Sequence, residues 1–176
     1  MRPADRLTLI PGTADHLLAE LQGREALARS LGVTVPNSWP PDLYDRPAME
    51  WSHRYLEAEP DHAGWALWYL VLRASSLAIG IAGFKGVPSD DGTVEVGYSV
   101  LAEHQRSGYA SEAVRRLLTW AFSDPRVRRV IAETYPELTP SIRVLEKNGF
   151  RFIGDGSDER IIRFELTGEM FAALAD

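Results

Sequence analysis

The chain has 176 residues, 45% of them hydrophobic, and a formal net charge of −6, enough for one well-packed domain and short for two. Its acidic balance argues against a nucleic-acid partner, which needs clustered Lys and Arg, and suits a cationic amine better. With no cysteine, disulfides, a thiolate metal site and an acyl-cysteine intermediate are excluded together.

No apolar run is long enough to span a bilayer and no export signal opens the chain, so a single cytoplasmic domain over 1–176, without a membrane partner, is expected. His16, His53, His62 and His104 lack the spacing of a metal site, and no metal is expected. Arg6-Leu7-Thr8-Leu9-Ile10 predicts a first strand, ended by Pro11-Gly12. Thr13 or Asp15 then caps a helix whose apolar face is Leu17, Leu18, Leu21, Ala26 and Leu27, with a bend at Gly23. From Val35 to Pro47 four prolines surround Trp39 and Tyr44. This loop reads either as an acceptor-binding wall stiffened by proline or as a connector whose Trp39 covers the core edge. A second helix, Ala48 to Glu59, is stopped by Pro60.

Gly64 to Leu72 predicts a strand buried on both faces. Across the turn Ala74-Ser75-Ser76, Leu77 to Phe84 completes an antiparallel hairpin. Gly80, Gly83 and Gly86 lie within or just after that strand with no helix following, so they indicate close backbone packing instead of a phosphate loop. The turn Pro88 to Gly92 delivers a strand in which Val94, Val96, Tyr98 and Val100 alternate with Glu95, Gly97 and Ser99. Gln105-Arg106-Ser107-Gly108-Tyr109-Ala110 then opens a helix running to about Phe122, with Ala110, Ala113, Val114, Leu117, Leu118 and Ala121 on one face. Such a corner points several unpaired N–H groups and the positive end of the peptide dipoles in one direction, which favours a phosphate-bearing ligand. Gly108 lets the main chain approach that ligand, and Ala110 is the next smallest choice. Taken alone, the six residues also fit a plain turn and ordinary packing.

Ser123-Asp124-Pro125 stops the helix, and Arg129 to Thr134 predicts a strand parallel to its predecessor under the right-handed crossover rule. Thr139 looks like a helix cap followed by Pro140 at the first helical position, and Gly149 closes that helix. Phe150 to Ile153 and Ile161 to Leu166 form a hairpin around Gly154 to Arg160. The total is a mixed α/β sheet of about six to seven strands flanked by about four helices.

Val94 to Val100, then Gln105-x-x-Gly108-x-Ala110 and a long helix, resembles the acetyl-coenzyme A motif of the GNAT superfamily of N-acetyltransferases. Ala132-Glu133-Thr134 followed by Ser141 to Phe150 looks like the last helix of its ribosomal-protein N-terminal acetyltransferase type. The resemblance runs from about Leu77 to Leu166 and is weaker over the first 76 residues. It implies acetyl-CoA as cosubstrate and splayed central strands, with main-chain groups of Tyr98, Ser99 and Val100 on the pantetheine and acetyl carbonyl. The loop Gln105, Arg106, Ser107, Gly108, Tyr109 and Ala110 would hold the pyrophosphate. Glu95 and Glu133, on the two splayed strands, become candidate bases, with Glu159 as a third; each is otherwise an ordinary carboxylate pairing with Arg or facing solvent. Ser141 matches a helix-start Ser that touches the coenzyme sulfur as general acid, or else caps locally. Tyr98 and Tyr135 line the acceptor site or join the core. Two positions depart from the family's commonest pattern, Gln105 in place of Arg and Leu138 in place of Asn. The implied activity is direct acetyl transfer to a primary amine, a protein N-terminus or a small molecule, in a ternary complex. The competing reading is a coenzyme A-binding sensor without an acceptor reaction. A homodimer is compatible with the chain.

Overall fold

Alternation along the strands and a three-to-four-residue period along the helices build one sheet with helices on both faces. The computed structural model describes residues 5–174. Its strands are β1 (Leu7–Pro11), β2 (Leu67–Leu72), β3 (Leu77–Phe84), β4 (Thr93–Val100), β5 (Arg129–Thr134), β6 (Arg151–Asp155) and β7 (Ile162–Thr167). Its helices are α1 (Ala14–Gln22), α2 (Arg24–Leu31), α3 (Arg46–Ala58), α4 (Tyr109–Ala121), α5 (Thr139–Lys147) and α6 (Gly168–Ala173). The sheet order is β1-β2-β3-β4-β5-β7-β6. Every neighbouring pair is antiparallel except β4 and β5, which are joined through α4 and run parallel, as predicted.

The two faces bury separate cores. Val94, Val96 and Val100 of β4 meet Ala113, Val114, Leu117, Leu118 and Ala121 of α4. On the other face Leu17, Leu27, Met49 and Leu56 from the first three helices pack on Leu67, Tyr69 and Ala78. Each fully buried Leu or Val contributes roughly 1.5–3 kcal/mol of transfer free energy, so α4 is fixed to β4 by several such side chains.

Several boundaries differ from the expectations above. Gly23, with φ at 137°, ends α1 and starts α2, so the predicted bend is a break. Thr13 is the cap of α1: its Oγ1 accepts from the His16 N–H at 3.2 Å, and its own N–H donates to His16 Nδ1 at 3.3 Å. Asp45 caps α3 through the Ala48 N–H at 3.0 Å, two residues earlier than predicted, because Pro47 is tolerated in a first turn. Thr139 is not a cap. It is the first residue of α5, and Leu138 stands at the cap position without a side-chain bond. Helix α6 was absent from the sequence reading. It is capped by Thr167 Oγ1 and held by Phe171 stacking on Phe122 at 4.9 Å. The described residues therefore form six helices where about four were predicted. No helix among them is long and apolar enough to cross a membrane.

The feature that positions the site is where β4 and β5 stop pairing. Their register comprises Thr93↔Arg129, Val94↔Val130 and Glu95↔Ile131. Past Glu95, β4 continues to Val100 against β3, while β5 continues to Thr134 against β7. The two strands part between them.

Candidate active site

The β4 main chain facing the opening follows from the ladder on its other side. Glu95 O accepts from Lys85 N at 3.0 Å and Leu101 N donates to Ile79 O at 2.8 Å, so odd-numbered residues bond toward β3. Val96, Tyr98 and Val100 therefore aim their main-chain groups at the β5 side, where pairing has already ended. Main-chain N–H groups of Tyr98 and Val100 left this way need a partner, and an extended ligand with amide groups supplies one. The Val100 carbonyl accepts from Gln105 Nε2 at 3.0 Å, so the Gln105 side chain braces the end of the strand. Ser99 points to the opposite face and donates from Oγ to the Asp42 carbonyl at 2.6 Å.

Next to this opening, Arg106 (φ 57°) and Gly108 (φ 81°) both take left-handed conformations, and no side chain caps the start of α4. The first-turn amides are left free for an anion. The corner is held from β1, a link that sequence reading missed. Glu112 in the first turn of α4 accepts from Arg6 N at 2.8 Å, Leu7 N at 3.0 Å and Arg6 Nε at 2.9 Å. Arg6 Nη1 donates to the Ser107 carbonyl at 2.8 Å, and the guanidinium lies 4.4 Å over the Tyr109 ring. The Arg6 guanidinium, paired with Glu112, thus stands beside the loop Gln105 to Ala110. Ala110 itself packs partly buried against the core. Nothing local marks Arg6, because its partners lie more than a hundred residues away in sequence.

The candidate bases have different surroundings. Glu95 and Glu133 are on the same face of the sheet, since Glu95 is level with Ile131 and Glu133 is two residues further. Glu95 is the last β4 residue before the opening, and its carboxylate pairs with the Lys85 ammonium. Glu133 accepts from Ser157 N at 2.9 Å, Ser157 Oγ at 2.6 Å, and Arg163 Nε and Nη2 at 2.9 and 2.6 Å, with 7% of its side chain exposed. Burial alone would raise its carboxyl, but the bonds from Ser157 and Arg163 and the Arg163 charge outweigh it and hold the group below its ordinary value. A carboxylate so held suits fastening β5 to the β6–β7 connection better than taking protons. Glu159 is exposed in that connection.

Replacing Glu133 with glutamine is expected to lower stability by roughly 1–3 kcal/mol. Because its folded carboxyl is lowered from 4.5, that deficit is full above this value and fades as pH falls below it. Urea unfolding of wild type and variant across pH 2–7 checks both statements.

Ser141, in the first turn of α5, meets Tyr98 across the opening. The Tyr98 hydroxyl donates to the Ser141 carbonyl at 3.0 Å and lies 3.1 Å from Ser141 Oγ. Burial pushes the phenol up to about 12, with the Ser141 bond pulling the other way, so Tyr98 stays a neutral donor. Tyr135 follows β5, its carbonyl accepting from Leu138 N at 3.0 Å. The buried Asn148 amide joins α5 to α4 by donating to Ser111 Oγ at 3.1 Å and the Val144 carbonyl at 2.9 Å. Two hydroxyls beside the opening can pass a proton to a leaving thiolate.

The proline-containing loop is tied down by a residue that was not singled out from sequence. Glu20 of α1 is buried and accepts from Trp39 Nε1 at 2.7 Å, Tyr44 OH at 2.9 Å and Tyr69 OH at 2.7 Å. A carboxylate three residues after Leu17, on the apolar stripe of α1, was the available signal.

A sheet whose central parallel pair opens beside a glycine-led helix start is the architecture that the resemblance to acyl-transferring enzymes implied. Residues 6–151 match the acetyltransferase (GNAT) domain family, and the chain belongs to that family. It is 30% identical over 133 residues to YjdG, an uncharacterized N-acetyltransferase of Bacillus subtilis (strain 168), covering 75% of this chain and 77% of the relative. Its fold is similar to that of the aminoglycoside acetyltransferase AAC(6')-Ib solved with ribostamycin and coenzyme A (TM-score 0.68, 21% identity, 98% of this chain and 99% of the other). It is also similar to that of the ribosomal-protein-S5-alanine acetyltransferase from Vibrio fischeri (TM-score 0.67, 16% identity, 95% and 96% covered). At these identities the solved structures speak to fold.

Proposed function

We propose that the chain, acting as one domain, transfers the acetyl group of acetyl-CoA directly to a primary amine within a ternary complex. The observation that carries this reading is that β4 and β5 cease pairing after Glu95↔Ile131, immediately before the uncapped start of α4. The loop Gln105 to Ala110, with Arg6 beside it, holds the diphosphate through main-chain N–H groups. The pantetheine arm pairs with the main-chain groups of Tyr98 and the N–H of Val100, as an added strand edge would. The amine nitrogen attacks the thioester carbonyl carbon, and a main-chain N–H at the opening stabilises the developing oxyanion. The carbon–sulfur bond then breaks. Glu95 receives the amine proton, directly or through water, and the Tyr98–Ser141 hydroxyls supply the proton that the thiolate takes up. Coenzyme A in the solved aminoglycoside acetyltransferase supports the choice of carrier.

Two measurements test this. Acetyl-CoA at a hundred times its Kd is expected to add about 2.7 kcal/mol of stability by mass action, and thiol release is expected to require an added amine. Stabilisation with no thiol release from any amine would favour the sensor reading, which Leu138 at the α5 cap position supports by supplying no polar side chain there.

Gly108→Val places a β-branched residue at φ 81°, with its Cβ 3.3 Å from Arg6 Nη2. The left-handed conformation costs about 1–2 kcal/mol, and the Kd for coenzyme A is expected to rise at least tenfold, measured by titration calorimetry.

A further inference from the structure

A cavity of about 350 Å³ lies between α3 and the face of β3 and β4 that carries Glu95. It has room for one large side chain or aryl group beside an amine. Resting on the acetyl-transfer reading, we propose that this cavity is the acceptor pocket and that it takes a single amine borne on an uncharged apolar or aromatic body, not a polycation.

The lining decides the substrate class. Tyr44, Ala48, Trp51, Ile81 and Gly97 form its walls, and the single charged residue among those lining it is Lys85, itself a cation. A polyamine or aminoglycoside entering here would set several ammonium groups against apolar walls and a like charge, a cost that nothing in the lining offsets. A lone amine can be met by one carboxylate, Glu95, which does not itself line the cavity but pairs with the lining Lys85 across the ladder, on the same face as the lining Gly97.

The mouth is apolar as well. Trp51 is 45% exposed and stacks on Tyr55 at 5.3 Å. Because Trp51 both lines the cavity and is exposed, an apolar ligand body seated there would cover it.

Gly97 forms part of the pocket on β4 two residues after Glu95 and on the same face. A Cβ there would meet no atom within 4 Å, so the strand accepts a side chain at this position without a clash. In place of a residue that would strengthen the strand, the chain leaves open space.

The test is thiol release by the full chain with phenylalaninamide, phenethylamine, glycinamide, spermidine and kanamycin, alongside the acetyl-CoA Kd. The two aromatic amines are expected to exceed the other three in kcat/KM by at least about tenfold. Gly97→Val is expected to cut the phenylalaninamide-to-glycinamide ratio at least tenfold while the acetyl-CoA Kd stays within twofold. If Gly97→Val does not fold, Trp51→Ala at the exposed lip carries the test through a raised KM for the aromatic amines. Preference for spermidine or kanamycin, or an unchanged ratio in the variants, overturns the pocket assignment and leaves acetyl transfer standing. Absence of acetyl-CoA binding, or of thiol release with every amine, overturns both.

Discussion

Glu95→Gln is expected to lower kcat by about 10²–10³ while the acetyl-CoA Kd changes by less than about twofold. Glu95 is the last β4 residue in register with β5, so its carboxylate stands at the fork where the acetyl carbonyl and an incoming amine would meet. The amide keeps the shape of the side chain and removes its capacity to take a proton. The loss would not come from unfolding: the pair with Lys85 is partly solvated, with 64% of the Lys85 side chain exposed, and exposed pairs contribute at most about 1 kcal/mol. Glu133→Gln is the control. It should reduce stability and leave kcat within a few-fold, because its carboxylate is already committed to Arg163 and Ser157. Steady-state kinetics on both variants decide the assignment, and a larger kcat loss at Glu133 would reverse it.

The largest effect on stability is expected at Glu20. Glu20→Ala leaves the Trp39 indole N–H and the Tyr44 and Tyr69 hydroxyls without their acceptor. Unsatisfied buried donors cost about 1–3 kcal/mol each. Allowing for partial repacking, a total of about 3–5 kcal/mol is expected, or roughly 6–20 °C in Tm for a chain of this size. Because Tyr44 also lines the acceptor cavity, KM for the amine should rise more than KM for acetyl-CoA. Glu20→Gln should be tolerated, since an amide still accepts from one donor and gives a hydrogen to a tyrosine oxygen. Its pH dependence carries the sign. Burial raises the Glu20 carboxyl above 4.5 against the opposing bonds from Tyr69, Trp39 and Tyr44. The folded state therefore binds this proton more tightly than the unfolded chain, and wild-type stability declines as pH rises from about 4.5 through the raised folded value. Glu20→Gln should remove that slope, read by urea unfolding over pH 4–8.

What could be read from the sequence was local. Strands β3, β4, β5 and β7 fall within about a residue of their predicted bounds because alternation, flanking turns and Gly or Pro punctuation fix them without reference to the rest of the chain. The strand predicted from Gly64 begins at Leu67, since Gly64 turns at φ 92° against Trp120 and an apolar run does not reveal that turn. Helix α6 is too short to show a period, and its Thr167 cap and Phe171 contact become visible only once the sheet is assembled. The glycine-led start of α4 at Gly108 was legible because it is a feature of consecutive residues. Arg6 and Glu20 were not, because each acts on groups brought together by the topology. The same holds for the first 76 residues: they carry few motif residues, yet the family match begins at residue 6, and β1 is joined to α4 through Arg6 and Glu112. For Glu133 two readings stood open, and its pair with Arg163 favours the ordinary strand carboxylate.

The most direct test of the account is a titration calorimetry comparison of coenzyme A with pantetheine, which keeps the arm for the opening and lacks the diphosphate for the corner. Binding of coenzyme A at least about a hundredfold tighter, a difference of about 2.7 kcal/mol, is the expected result. Equal affinities, or no binding of coenzyme A, would contradict it.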